Sequence, residues 1–221
     1  MWIKICGVKE IEAANQVARS GASAIGLNFF AKSKRSTNLK QAREIATAVR
    51  GQLELVGLFV NHSPAEVVEH ARQLQLDWIQ LHGDEPPAYL AGLQSELVLD
   101  LPSIKLMKAF RVGPQGLDEV ANYLDECRQA GVKLSACLID AAVQGEFGGT
   151  GHVAPWDLVR DQYDRTNWPP LVLAGGLTSA NVRAATAAVD PWGIDTASGV
   201  ESSPGVKDAR MINEFVNAIR Q

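Results

Sequence analysis

Leu55-Val56-Gly57-Leu58-Phe59-Val60-Asn61, followed by Ser63-Pro64-Ala65-Glu66 and the stretch to Leu74, spells out one complete strand–helix unit. The first run is apolar on both faces, the pattern of a strand paired on both edges and covered by helices. Ser63 then reads as a helix N-cap, Pro64 suits the first turn, and Glu66 lies three residues past the cap. Val67, Val68, Ala71 and Leu74 form the apolar stripe such a helix buries.

The same alternation extends in both directions. Strands are predicted at Trp2–Cys6, Ala24–Phe29, Leu55–Asn61, Trp78–His82, Ile104–Phe110, Ala136–Asp140, Leu171–Ala174 and Gly193–Thr196. Between them run amphipathic stretches, such as Ala42, Ile45, Ala46 and Val49, or Ile212, Phe215, Val216 and Ile219 near the end. No stretch reads as a linker. Eight βα units favour a (β/α)8 TIM barrel formed by residues 1–221 as a single domain, with an open doubly wound sheet as the alternative.

Composition narrows the function. The chain has 221 residues, a net charge of −4 and 46% hydrophobic residues. That balance disfavours nucleic acid as a partner, since such binders carry a basic stripe to displace counterions. No apolar run is long enough to span a membrane, and the start lacks signal-peptide features. Three cysteines, Cys6, Cys127 and Cys137, make no disulfide framework. A cytoplasmic protein is expected.

In a barrel, chemistry sits where strands end at their C-terminal side. Strand 1 ends in Cys6, with Lys4 on the same face, so the ammonium is a candidate for lowering the thiol pKa; a buried inert cysteine is the competing reading. Strand 6 ends in Asp140, a carboxylate costly to bury unless paired or catalytic. By parity Cys137 faces away from Asp140, toward the helices. The loop after strand 2 carries Lys32, Lys34 and Arg35, and Arg35 offers a planar fork to an anion. His82, ending strand 4, has no second histidine at ligand spacing, so hydrogen bonding is expected of it and no metal site. Gly175-Gly176 after strand 7 and Ser198-Gly199 after strand 8 suit a phosphate held by backbone N–H groups. Gly148-Gly149-Thr150-Gly151 suits a lid or a close backbone approach to ligand.

Taken together, the blocks Lys4-Ile5-Cys6-Gly7, Val56–Asn61, Gln80-Leu81-His82-Gly83-Asp84-Glu85, Lys108-Ala109-Phe110, Leu138-Ile139-Asp140, Gly148–Gly151, Leu173–Leu177, Ser198-Gly199-Val200-Glu201 and Pro204–Asp208 resemble the phosphoribosylanthranilate isomerases of tryptophan biosynthesis. They keep that family's order and span nearly the whole chain. The resemblance implies an aldose–ketose type isomerase that carries out an Amadori rearrangement, with Cys6 as general base and Asp140 as general acid. It implies Arg35 on the anthranilate carboxylate, with Ser33-Lys34-Arg35 standing where the family has Ser-Pro-Arg. Substrate-binding roles are further expected for His82, Gly149, Gly175, Gly176, Ser198 and Gly199. No cofactor is expected, and the partner is a small phosphorylated substrate. A monomer is expected, with a dimer as the alternative. Asn28 stands where an apolar residue is usual, and Ala197 where Ser or Asn is common. A related isomerase of histidine biosynthesis would carry aspartate at the position of Cys6. A catalytically silent barrel would tolerate losing Cys6, Asp140 or Arg35, and all three are present.

Overall fold

A computed structural model describes residues 1–140 and 156–220. Eight parallel strands form a closed ring in chain order: β1 (Trp2–Cys6), β2 (Ala24–Asn28), β3 (Glu54–Phe59), β4 (Trp78–Leu81), β5 (Lys105–Arg111), β6 (Ala136–Asp140), β7 (Leu171–Ala174) and β8 (Gly193–Thr196). Closure is made by β1 against β8, with Trp2 opposite Gly193 and Lys4 opposite Asp195. The chain is thus a single-domain (β/α)8 TIM barrel. Among the described residues, no helix is long and apolar enough to cross a membrane.

Each strand is followed by a helix: α1 (Ile11–Ser20), α2 (Leu39–Val49), α3 (Pro64–Leu74), α4 (Pro87–Asp100), α5 (Asp118–Gln129), α6 (Trp156–Gln162), α7 (Val182–Val189) and α8 (Ala209–Arg220). The buried stripe of α3 is Val67, Val68, Ala71 and Leu74, and its start carries the capping box: Ser63 Oγ accepts from Glu66 N–H, while Glu66 accepts from Ser63 N–H. Helix α2 buries Ala42, Ile45, Ala46 and Val49, and is capped by the Asn38 side chain, which accepts from Gln41 N–H.

Alternation along the strands separates two cores. Outward residues such as Ile5, Leu27, Phe59, Leu81, Ile139 and Leu173 pack under the helices. Cys137 is among them and Cys127 joins from α5. Inward residues fill the barrel with Trp2, Val56, Trp78, Met107, Leu138 and Val172. At the N-terminal end of the ring, Trp2, Trp78 and Trp192 cluster with ring centroids 5.3–6.1 Å apart. Both Trp2 and Trp78 donate their indole N–H to the Glu54 carboxylate, at 2.7 and 2.9 Å. The tryptophan cluster therefore plugs the barrel interior at this end.

Several strand ends differ from those read in the sequence. β3 stops at Phe59 because Asn61 adopts φ +54°, a left-handed turn that Asn tolerates. A hairpin, β9 (Glu201–Ser203) and β10 (Val206–Lys207), follows a short 3₁₀ turn at Ser198–Val200. It went unread because its strands are short and polar.

Candidate active site

At the C-terminal end of the ring lies a cavity of about 310 Å³. Its lining brings together Cys6, Arg35, His82, Asp140, Gly175, Gly176 and Ser198 from six different loops or strand ends. Gly199 is not part of that wall. It is buried just behind, where an added Cβ would come within 1.8 Å of the Leu177 carbonyl, so only glycine lets the two loops touch. Gly175 and Gly176 both have positive φ, 97° and 61°, which makes the turn after β7 a glycine turn. Gly149 lies outside the described residues. A second cavity of about 320 Å³ shares His82 and runs over the ends of β4 and β5.

The thiol of Cys6 is buried. Two places back on the same face, Lys4 is fully buried and donates to Asp195 Oδ1 at 2.6 Å. Burial opposes the ammonium charge, yet Asp195 and the neighbouring thiol outweigh it and hold the Lys4 pKa above its ordinary value. The expectation of a low-pKa thiol is corrected here. Burial pushes the Cys6 thiol up, and the favourable ammonium groups of Lys4 and Lys207 do not offset it. Asp195 is the reason on Lys4's side, since it adds a negative charge beside the sulfur. Burial also pushes Cys127 up to about 11 and Cys137 up to about 12, and neither lines this cavity.

His82 bonds through Nδ1 to Gln80 Nε2 at 2.9 Å. Burial lowers its pKa to about 4, so the ring is neutral at physiological pH. The motif after it is an anchor. Glu85 accepts from the N–H groups of Gly83 and Asn61, and from Lys108 Nζ at 3.1 Å. Among the described residues, no group of three or more His, Cys, Asp or Glu is arranged to hold a metal ion.

Arg35 stands on the loop after β2. Asn28, which breaks the expected apolar pattern, organises that loop. Its Oδ1 accepts from Phe30 N–H at 2.8 Å and its Nδ2 donates to Ser33 Oγ at 3.2 Å. Ser33 Oγ in turn accepts from Arg35 N–H at 3.1 Å. This polar bracket fixes a loop in which Lys34 has no proline stiffness to contribute. Both cations at the site are paired: Lys4 with Asp195 and Arg35 with Glu201.

The family model described as N-(5'-phosphoribosyl)anthranilate (PRA) isomerase matches residues 3–218. The chain belongs to the PRA isomerase family. A curated N-(5'-phosphoribosyl)anthranilate isomerase from Pseudomonas paraeruginosa is 42% identical over 218 residues, covering 99% of this chain and 94% of that protein. The phosphoribosyl anthranilate isomerase of Thermotoga maritima superposes with a TM-score of 0.82 at 33% identity, covering 100% of this chain and 98% of that one. A further PRA isomerase structure, in complex with reduced 1-(o-carboxyphenylamino)-1-deoxyribulose 5-phosphate, gives a TM-score of 0.78 at 30% identity, with the same coverage. These are isomerases on the same barrel.

Within this PRA isomerase barrel, four cavity or near-cavity groups had no role read for them in the sequence: Gly26, Asp195, Glu201 and Lys207. Gly26 stands opposite Cys6 across β1 and β2. A Cβ there would lie 2.7 Å from Cys6 Sγ, so glycine leaves the thiol its room. Asp195 was detectable, because an inward carboxylate on β8 beside an inward Lys4 on β1 is a buried pair once the ring closes.

Proposed function

We propose that this chain converts N-(5-phosphoribosyl)anthranilate to 1-(2-carboxyphenylamino)-1-deoxyribulose 5-phosphate by an Amadori rearrangement, a step of tryptophan biosynthesis. The observation that carries this reading is one cavity lined by a thiol and a carboxylate, with glycine turns and an arginine on its walls.

Asp140, as general acid, gives its proton to the furanose ring oxygen. The C1–O bond breaks and the anthranilate nitrogen supplies the pair that makes a C1=N iminium. The Cys6 thiolate, as general base, removes the proton from C2. Those electrons form the C1–C2 double bond and neutralise the nitrogen, giving an enolamine. Loss of the C2 hydroxyl proton and protonation of C1 give the ketone. A proton returned from Cys6 to Asp140 through solvent resets the pair. No electron is gained or lost overall, so acid–base groups suffice.

Carboxylate and phosphate are recognised at separate ends in this reading. Arg35 takes the anthranilate carboxylate. The turns at Gly175-Gly176 and Ser198-Gly199 take the phosphate through backbone N–H groups. Neutral His82 hydrogen-bonds the sugar.

The test is growth without tryptophan in a strain lacking this isomerase. Restoration is expected, and a folded, well-expressed protein that fails to restore growth would overturn the assignment. In purified enzyme, Cys6→Ala and Asp140→Asn should each lower kcat by on the order of 10²–10⁴-fold, with KM little changed. Wild-type turnover in Cys6→Ala would remove the thiol from the mechanism.

A further inference from the structure

Among the described residues, the Arg35 guanidinium is held on one side only. Its Nε and Nη2 donate to the two oxygens of Glu201, each at 2.8 Å. A guanidinium has five N–H donors in a plane, and this side-on pairing spends two of them. The end of the fork, Nη1 with the second Nη2 hydrogen, is the edge left over for a ligand. The Arg35 side chain is 28% exposed and lines the cavity.

Everything behind the fork is built to hold it. The Glu201 side chain is only 3% exposed and also accepts from Lys207 Nζ at 2.8 Å, directly across the β9–β10 hairpin. Lys207, its side chain 1% exposed, sends a second bond to the carbonyl of Ala197 on the cavity wall. The hairpin turn at Gly205 sits on the Arg35 loop, since a Cβ there would come within 2.6 Å of the Lys34 carbonyl. Gly7, at φ +73°, supports the aliphatic stem, because a Cβ there would lie 2.7 Å from Arg35 Cδ. The three charges leave a net +1 for an incoming anion. Without Glu201 the Arg35 and Lys207 cations would be left without the carboxylate between them.

We propose that Glu201 is the positioning residue for carboxylate recognition: it grips the side edge of Arg35 so that the end edge meets the carboxylate of the substrate, and Lys207 keeps the cluster cationic. This rests on the reading that Arg35 binds that carboxylate. Glu201 is therefore a buttress and not a competitor for the fork.

The experiment compares two substrates, N-(5-phosphoribosyl)anthranilate and its counterpart made from aniline, which lacks the carboxylate. Glu201→Gln removes the charge. Glu201→Asp keeps the charge near Lys207, and so the folded hairpin, but withdraws the grip. Both variants should raise KM for the carboxylate substrate roughly tenfold or more, with kcat within about threefold and the aniline substrate unaffected. In an Arg35→Ala background, Glu201→Gln should add no further loss. Equal losses on both substrates, or a loss confined to kcat, would make Glu201 merely structural and overturn the inference. A lower KM would also overturn it, by showing that Glu201 competes with the ligand. If Arg35→Ala itself weakens both substrates alike, the carboxylate role of Arg35 falls, and this inference with it.

Discussion

Replacing Gly26 by alanine tests the thiol's position without touching the thiol. Gly26 lies in β2 opposite Cys6, with no left-handed backbone to strain. The new Cβ would stand 2.7 Å from Sγ and 3.1 Å from the Cys6 Cα. Favourable contact between such atoms needs about 3.5–4.0 Å, so the sulfur must retreat by roughly 1 Å or change rotamer. A displacement of that size at a reacting atom costs about 10²-fold in rate, equivalent to about 2.7 kcal/mol on the barrier. Overpacking should cost about 1–3 kcal/mol of stability, or some 2–4 °C in Tm per kcal/mol for a domain of this size. The assay is kcat and KM on the phosphoribosylanthranilate substrate below the unfolding range, with Tm measured alongside. The expected outcome is a kcat near one hundredth of wild type and a KM within a few-fold. A folded Gly26→Ala enzyme with wild-type kcat would refute the reasoning, because the base would then not depend on where Sγ sits.

Two further outcomes follow from the titrating groups. Burial raises the Cys6 pKa, so iodoacetamide alkylation of Cys6 should climb with pH through and beyond the ordinary thiol value of about 8.5. An alkylation limb centred below pH 7 would contradict the burial argument. For His82, burial lowers the folded pKa from 6.5 to about 4, so the unfolded chain takes up a proton that the folded chain refuses. Its contribution is present above about pH 6.5 and is lost as pH falls toward 4, amounting to about 3 kcal/mol. His82→Asn should flatten that part of the stability curve, and NMR titration of the ring should give a midpoint near 4; a midpoint near 6.5 would remove the effect.

The barrel was readable in the sequence wherever burial imposed a period. Trp2–Cys6, Ala136–Asp140, Leu171–Ala174 and Gly193–Thr196 coincide with observed strands because both faces of each are covered, leaving apolar runs with sharp polar ends. Ser63 and Glu66 marked a helix start because two local hydrogen bonds define it. Strand ends at Phe29, Asn61 and His82 were overrun, since apolar or aromatic residues continue into turns that only backbone geometry reveals. Cys6, Arg35, His82 and Asp140 were found by looking at strand ends, and they do share one cavity. Their charge partners were not found. Arg35 meets Glu201 across 166 residues and Lys4 meets Asp195 across 191, distances over which local periodicity carries no information. The outcome for the thiol differed from expectation first because burial raises its pKa, and second because Asp195, at the other end of the chain, adds a negative charge beside it.

Closure of the ring by its first and last strands has a consequence for synthesis. Asp195 is made 191 residues after Lys4, when most of the barrel has already been synthesised. At ~5–20 residues per second, the wait is roughly ten to forty seconds. Throughout that interval the nascent chain has an open edge at β1 and an ammonium that it cannot bury without its counter-ion. Docking of β8 ends both conditions in one event, pairing the edge and neutralising the lysine beneath Cys6. The pairing beneath Cys6 thus waits for β8, so a truncated product lacking β8 should display an unpaired strand edge and an unpaired ammonium together.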